Sequence, residues 1–331
     1  MNILVTGSEG FIGSHLTESL VLQGHKVKCL VLYNSFNNYG WLETINKKIL
    51  NDVEICFGDI RDPNFVGEVV KKSDIIMHLA ALIGIPYSYI SPKSYVETNI
   101  SGTLNILQSA RDFDVEKIVH TSTSEVYGSA QKIPITENHP LNGQSPYSAT
   151  KIAADQLANS FYSSYGTPVV TLRPFNTYGP RQSLRAIIPT TISQVVSGVK
   201  EIKLGSLNPT RDFTYISDTV SAYLKTIKSK KIIGKTINIG AGYEISIKNL
   251  VNLILNEANR DIKVVLEKNR VRPKNSEVNR LCCSNKLAKK LLNWTPKYNG
   301  KKGLKIGIKK TIEWFSKPEN IKKYKSQKFI F

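Results

Sequence analysis

The chain opens with an apolar strand that runs straight into a set of glycines. Asn2-Ile-Leu-Val-Thr6 leads into Gly7-Ser-Glu-Gly10-Phe-Ile-Gly13, and an apolar-periodic stretch carrying Phe11, Ile12, Leu16 and Leu20 follows. Three glycines spaced three apart between a strand and a helix have a mechanical meaning. One makes the tight turn, one lets the backbone approach a pyrophosphate, and one lets the helix pack close to the strand. The helix start then offers free N–H groups and partial positive charge to the phosphates. A chain built this way begins with a dinucleotide site, and such a site needs a parallel sheet behind it.

That sheet is legible downstream. Strand-like runs at 2–6, 26–32, 53–57, 74–78, 116–121 and 168–173 alternate with helical stretches near 11–23, 63–71, 93–112 and 145–165. Alternation at this spacing means βαβ units, so the fold class is α/β, a doubly wound parallel sheet of Rossmann type. Beyond Gly179 the rhythm breaks. Helices near 186–198, 217–228, 246–257 and 284–292 alternate with short strands near 202–204, 236–239 and 262–266, which predicts a smaller C-terminal α/β lobe for the substrate. The division expected is 1–180 for the dinucleotide-binding domain, 181–316 for the lobe sharing its cleft, and a loosely held Lys-rich tail at 317–331.

Composition narrows the function classes. The net charge is +19, but from Lys286 onward fourteen lysines face only Glu313 and Glu319, so this end carries +12 of it. Arginine is scarce and no interleaved Arg/aromatic stacking pattern occurs, which argues against nucleic acid as a partner. A positive field would instead draw in an anionic nucleotide substrate. No apolar run approaches the ~20 residues of a membrane span, and no signal-peptide layout precedes the first strand, so a cytoplasmic protein without membrane partners is expected. Cys29, Cys56, Cys282 and Cys283 show neither zinc nor disulfide spacing, and no metal is expected.

A second motif points to an enzyme. In Ser145-Pro-Tyr147-Ser-Ala-Thr-Lys151 the i,i+4 spacing puts Tyr147 and Lys151 on one helix face. A nearby ammonium favours the phenolate, which lets a tyrosine serve as a base near neutral pH. The strand 116–121 ends in His120-Thr-Ser122-Thr123-Ser124-Glu125, and doubly wound sheets place ligands at the carboxyl ends of strands. There Ser122 and Thr123 offer hydroxyls to a substrate, and Glu125 a carboxylate for proton abstraction.

Together these motifs resemble the extended short-chain dehydrogenase/reductases of the nucleotide-sugar epimerase/dehydratase group, over nearly the full length. The resemblance implies cofactor contacts at Gly7, Gly10, Phe11, Ile12 and Gly13, at Asp59 and Ile60 near the adenine, and at Leu79, Ala80 and Ala81 along a ribose. It also implies a bracing role for Asn99 and cofactor contacts for Tyr147 and Lys151. Thr123, Ser124, Glu125, Tyr147 and Lys151 form the implied catalytic set. Ser122, Asn176, Lys203, Arg211 and Arg272 are the implied substrate contacts, the arginines holding the diphosphate through their planar forks. Within the group, Leu32-Tyr-Asn-Ser-Phe-Asn37-Asn-Tyr-Gly-Trp41 and Leu204-Gly-Ser-Leu-Asn-Pro-Thr-Arg211 are similar to N-acetylhexosamine 4,6-dehydratases of the bacterial legionaminic acid pathway.

Two departures stand out. Ser124 takes the place where many dehydratases carry an aspartate, as in the Thr-Ser-Glu of GDP-mannose dehydratases and of UDP-glucuronate decarboxylases. The acid expected about twenty residues past the glycines, on the ribose hydroxyls, is missing after Leu30-Val-Leu32, and no arginine replaces it. NAD is therefore expected, with NADP open. The resemblance implies water elimination across C5–C6 of a GDP- or UDP-linked N-acetylglucosamine after transient oxidation at C4. A 4-epimerase, a decarboxylase and a non-catalytic nucleotide sensor are the alternatives. It also implies a homodimer through helices near 93–112 and 145–165, doubled in some members to a tetramer.

Overall fold

The computed structural model describes residues 1–324. Seven parallel strands form the main sheet: β1 (Asn2–Thr6), β2 (Lys26–Leu32), β3 (Val53–Gly58), β4 (Ile75–His78), β5 (Lys117–Thr121), β6 (Val169–Pro174) and, much later in the chain, β10 (Thr236–Ile239). Their order is β10-β6-β5-β4-β1-β2-β3. The order reverses between β1 and β4, and that reversal opens the crevice where such sheets hold ligands. A parallel sheet must be covered on both faces, and the strands show it residue by residue. Leu4, Leu30, Ile76 and Ile118 pack with Val66 and Val69 of α3 (Pro63–Val70) and Ile106 and Leu107 of α6 (Gly102–Asp112). Their neighbours Ile3, Val5, Val27 and Met77 pack the other way, with Leu16 and Leu20 of α1 (Phe11–Leu22) and Val220 and Tyr223 of α9 (Ile216–Lys228).

Local chemistry sets the helix ends. Asp62 caps α3, accepting from the Asn64 and Phe65 N–H groups, with Pro63 in the first turn. The longest helix, α7 (Pro146–Tyr165), starts on a reciprocal Ser145/Ser148 capping box and stops at Gly166, which is left-handed at φ 70°. Short helices α2 (Lys47–Asn51), α4 (Ile85–Ile90) and α5 (Pro92–Tyr95) lie in the βα connections, and α5 continues through a π-helical turn, Val96–Ser101, into α6.

The remaining strands build the smaller lobe. A three-stranded sheet runs in the order β11 (Glu244–Ser246), β9 (Thr210–Tyr215), β7 (Asn176–Tyr178), and β12 (Lys263–Leu266) pairs in parallel with β8 (Glu201–Leu204). Helices α8 (Ile187–Val196), α10 (Ile247–Glu257), α11 (Lys286–Leu292), α12 (Gly300–Phe315) and α13 (Pro318–Ile321) complete it. Among the described residues no helix is long and apolar enough to cross a membrane.

Three expectations need correction. The boundary at 180 does not divide the chain, because β10 hydrogen-bonds to β6 and α9 covers the main sheet. Strand β9 and helix α12 were not anticipated. In β9 the buried Arg211 and Asp212 interrupt the apolar pattern. In α12 the buried stripe includes Gly303 and Gly307, which add nothing to an apolar period; a Cβ at Gly307 would lie 2.0 Å from the Tyr178 hydroxyl, so close approach requires the glycine. Finally, part of the supposedly loose tail is held. The Tyr324 hydroxyl donates to the Gln182 carbonyl at 2.9 Å, and its ring stacks on Phe315. The rest of that tail, 325–331, lies outside the described residues.

Candidate active site

One cavity of about 1040 Å³ runs along the crevice, from the glycine loop, past the ends of β4 and β5, into the smaller lobe. Its volume exceeds a single drug-sized site and suits two ligands end to end. At the first end Gly7, Gly10, Phe11, Ile12 and Gly13 line it. A Cβ at Gly13 would lie 2.1 Å from the Gly7 carbonyl oxygen, so only glycine lets α1 sit this near the loop. Gly10, the N-cap of α1, has no side chain to satisfy the first N–H groups. An uncapped helix start facing a cavity fits a pyrophosphate. Asp59, Ile60, Leu79, Ala80 and Ala81 line the same stretch. Asp59 is engaged by Arg61, whose Nη2 donates to it at 2.6 Å. Asn99 does not line the cavity. It is fully buried in the π-helical turn, accepting from Leu82 N–H at 2.8 Å and donating to the Leu82 carbonyl and the Thr150 hydroxyl. It braces the loop after β4 against α7.

At the centre, Tyr147 and Lys151 lie one turn apart on α7, both buried, with the Tyr147 ring edge-on to Tyr95. Thr123 caps a 3₁₀ turn, Ser124–Tyr127, by accepting from the Glu125 N–H at 3.2 Å, and its hydroxyl also bonds Tyr147. Thr123 therefore fixes the Glu125 backbone at the strand end beside the Tyr147 phenol, and Thr123, Ser124, Glu125 and Tyr147 all line the cavity. Glu125 Oε2 is 3.9 Å from Arg272 Nη1.

The electrostatics differ from expectation. Burial pushes the Tyr147 phenol well above its ordinary value, the Thr123 hydroxyl opposes this, and the Glu125 charge adds to it. The Lys151 ammonium donates to the Thr121 carbonyl at 2.7 Å, and burial lowers it to about 8 against the pull of Asp155. In the protein alone, then, tyrosine keeps its proton.

Behind these residues is a buried network that sequence reasoning missed. Asp155, one turn past Lys151, receives the Ser122 hydroxyl at 2.8 Å, His120 Nε2 at 3.1 Å and Arg173 Nε at 3.0 Å. Burial alone would raise its carboxyl, but His120, Arg173 and Lys151 outweigh it and hold it below the usual value. Ser122 lines the cavity while its hydroxyl proton is turned back to Asp155, which leaves its oxygen as the group that can face a substrate. The i,i+8 spacing from Tyr147 to Asp155 was the available signal, though it was no stronger than chance.

At the far end, Asn176 lines the cavity and its buried Oδ1 has no partner. Arg211 is buried and donates to its neighbour's carbonyl, Thr210, and to Glu277 at 3.1 Å. Arg272 Nη1 is buried without a hydrogen bond. Lys203 is a correction. On β8, Ile202 and Leu204 point inward, so Lys203 points to solvent and does not line the cavity. Arg185, Tyr87 and Glu277 line it and were not anticipated, since no spacing rule ties them to the motifs. Among the described residues no group of three or more His, Cys, Asp or Glu could hold a metal ion, and the four cysteines are free.

A family profile described as GDP-mannose 4,6 dehydratase matches residues 4–306. Human dTDP-D-glucose 4,6-dehydratase is 34% identical over 334 residues, 98% of this chain and 92% of that protein. UDP-N-acetyl-alpha-D-glucosaminuronate decarboxylase of Bacillus cytotoxicus is 33% identical over 330 residues, covering 96% and 98%. The solved structure of UDP-glucuronic acid 4-epimerase from Bacillus cereus, in complex with UDP-glucuronic acid and NAD, superposes with a TM-score of 0.85 at 27% identity, covering 95% of this chain and 98% of that one. Three reactions thus occur on one frame, and likeness alone does not choose among them.

Proposed function

The chain belongs to the GDP-mannose 4,6-dehydratase family of nucleotide-sugar enzymes, and on that premise we propose that it is an NAD-dependent 4,6-dehydratase acting on a nucleotide-linked N-acetylglucosamine. The observation that carries this reading is Glu125, its backbone N–H fixed by Thr123, in the same cavity as Tyr147. A 4-epimerase needs only the tyrosine, because the same C–H bond is broken and remade. Elimination needs a second group to move the C5 proton, and Glu125 is there to do it.

Bound NAD supplies the acceptor and donor of the electron pair that leaves C4 and returns at C6. Tyr147 Oη, ionised once substrate and cofactor are bound, takes the proton of the sugar 4-hydroxyl, with the Thr123 hydroxyl orienting it. Lys151, one turn away, would hold the cofactor ribose and, as the ammonium, favour the phenolate form of Tyr147. The C4 ketone acidifies the C5 proton, which Glu125 removes and then delivers to the departing C6 hydroxyl; as the electron pair returns at C6, a solvent proton closes C5 and Tyr147 releases the proton it took from the 4-hydroxyl. Asn176, Arg211 and Arg272 hold the nucleotide diphosphate, and Thr123-Ser124-Glu125 favours GDP over UDP by its likeness to the GDP-mannose dehydratases. The product would be a 4-keto-6-deoxy N-acetyl sugar of the kind that feeds legionaminic acid and other cell-surface glycans.

One observation favours a second reading. Arg272 Nη1, which makes no hydrogen bond and stands 3.9 Å from Glu125 and 3.8 Å from Glu277, is a cation that could meet a sugar carboxylate, as decarboxylation needs. Incubation with GDP- and UDP-N-acetylglucosamine and with the corresponding uronic acids, read by product mass, separates the outcomes. Loss of water supports the dehydratase, unchanged mass an epimerase, and loss of carbon dioxide the decarboxylase. Glu125→Gln is expected to oxidise C4 yet stop before elimination; a normal dehydrated product from this variant removes Glu125 from the mechanism. We also propose a cytoplasmic homodimer, or a tetramer formed from two such dimers, paired through 93–112 and 145–165, where Val96, Leu104 and Tyr162 are exposed. Sedimentation equilibrium at a single monomer mass would contradict it.

A further inference from the structure

The sequence lacks an acid where dinucleotide sites of this architecture place one, at the end of β2. That position is Leu32, 53% exposed, followed by Tyr33-Asn-Ser-Phe36. In space, however, the position is served from elsewhere. The Gly7 N–H donates to the Leu30 carbonyl at 3.2 Å, which lays the glycine loop against the end of β2. From that loop Glu9 reaches across, and its Oε1 accepts the Leu32 N–H at 3.1 Å. The Glu9 carbonyl accepts the Trp41 N–H at 2.9 Å and fixes the loop from the other side. A carboxylate therefore stands at the end of β2 although none is encoded there.

We infer that Glu9 holds the adenosine ribose hydroxyls and selects a dinucleotide that lacks a 2′-phosphate. Its second oxygen, Oε2, is buried and has no partner, and Glu9 lines the cavity together with Gly10, Leu32, Gly58 and Asp59. A buried carboxylate oxygen without a donor is costly, and a ribose diol brings two O–H donors. A 2′-phosphate would bring negative charge instead. Arg61, a cation at this end of the cavity, is committed by two bonds to Asp59 Oδ2 and by a longer ion pair to Glu97. Burial raises the Glu9 carboxyl, with the Leu32 N–H opposing, as fits a group waiting for donors.

The inference rests on the reading that this groove holds NAD. The full chain is dialysed against equimolar NAD⁺ and NADP⁺, and the bound nucleotide is extracted and quantified by chromatography. Wild type is expected to retain NAD⁺ in at least about tenfold excess, a preference that Glu9→Gln, which keeps an acceptor for Leu32, reduces by about tenfold or more. In Glu9→Gln/Leu32→Asp the acid returns from the usual position and the preference is restored. An NAD⁺/NADP⁺ ratio unchanged in Glu9→Gln overturns the role of Glu9 while leaving the groove intact. Retention of neither nucleotide by wild type overturns the cofactor reading, and the inference with it.

Discussion

Tyr147 and Lys151 are one helical turn apart, yet burial treats them in opposite ways. The phenol is pushed up and the ammonium down, each toward its neutral form. Tyr147→Phe is expected to bind nucleotide sugar and cofactor normally while turnover falls by about 10²–10⁴, the usual worth of a positioned acid–base group; single-turnover measurement of C4 oxidation checks it. Lys151 also makes a stability prediction. With its folded value near 8 and an unfolded value near 10.5, the unfolded chain binds more protons between those limits, so stability rises with pH across that window. Below pH 8 the full penalty is present. The stability of wild type relative to Lys151→Met should accordingly climb by ~3 kcal/mol from pH 8 to 10.5, read by urea unfolding at each pH. A flat difference would mean that the Asp155 network already compensates the charge.

At the level of elements, the site depends on joints between helices and loops more than on the motifs themselves. The π-helical turn between α5 and α6 aims Asn99 at the loop after β4, where it takes both the N–H and the carbonyl of Leu82. Asn99→Ala leaves those two backbone groups and Thr150 without it. An expected loss of about 2–4 kcal/mol follows from the cost of unsatisfied buried groups, measurable as a lower urea midpoint, together with weaker NAD⁺ retention because Leu79, Ala80 and Ala81 lie on the same loop. Elements with a clean period were legible in the sequence. The six strands from β1 to β6 stand within a residue or so of their expected limits, because each reads as a mainly apolar run, the inner ones buried on both faces and the edge strand β3 half-buried. Elements whose inward residues are polar or glycine were not. Arg211 and Asp212 in β9, and Gly303 and Gly307 in α12, face inward for reasons of hydrogen bonding and close approach that no hydropathy pattern records.

On the scale of the whole molecule the two lobes are interleaved. The chain leaves the main sheet after β6, begins the smaller lobe, and returns to lay α9 and β10 on the sheet before leaving again. A fragment ending at residue 180 would expose the edge of β6 and the sheet face that Val220 and Tyr223 cover, so it should lack near-ultraviolet circular dichroism and a cooperative unfolding transition. Of the expected site, the glycine loop, Thr123, Glu125, Tyr147, Asn176, Arg211 and Arg272 border one cavity, because motifs at strand ends converge wherever the sheet forms. Lys203 does not, since strand alternation in a two-stranded sheet decided its side.

The chain has three tryptophans, and their placement differs. Trp294 is sealed in the interior with its indole N–H on Asp218 and Ser221. Trp41 borders the nucleotide groove and touches Trp314 and Tyr324, the last residue described. A dinucleotide settling in the groove would therefore alter the emission of one indole pair and leave the third as an internal standard. Occupancy becomes an optical readout native to the protein, with no dye attached and no turnover required.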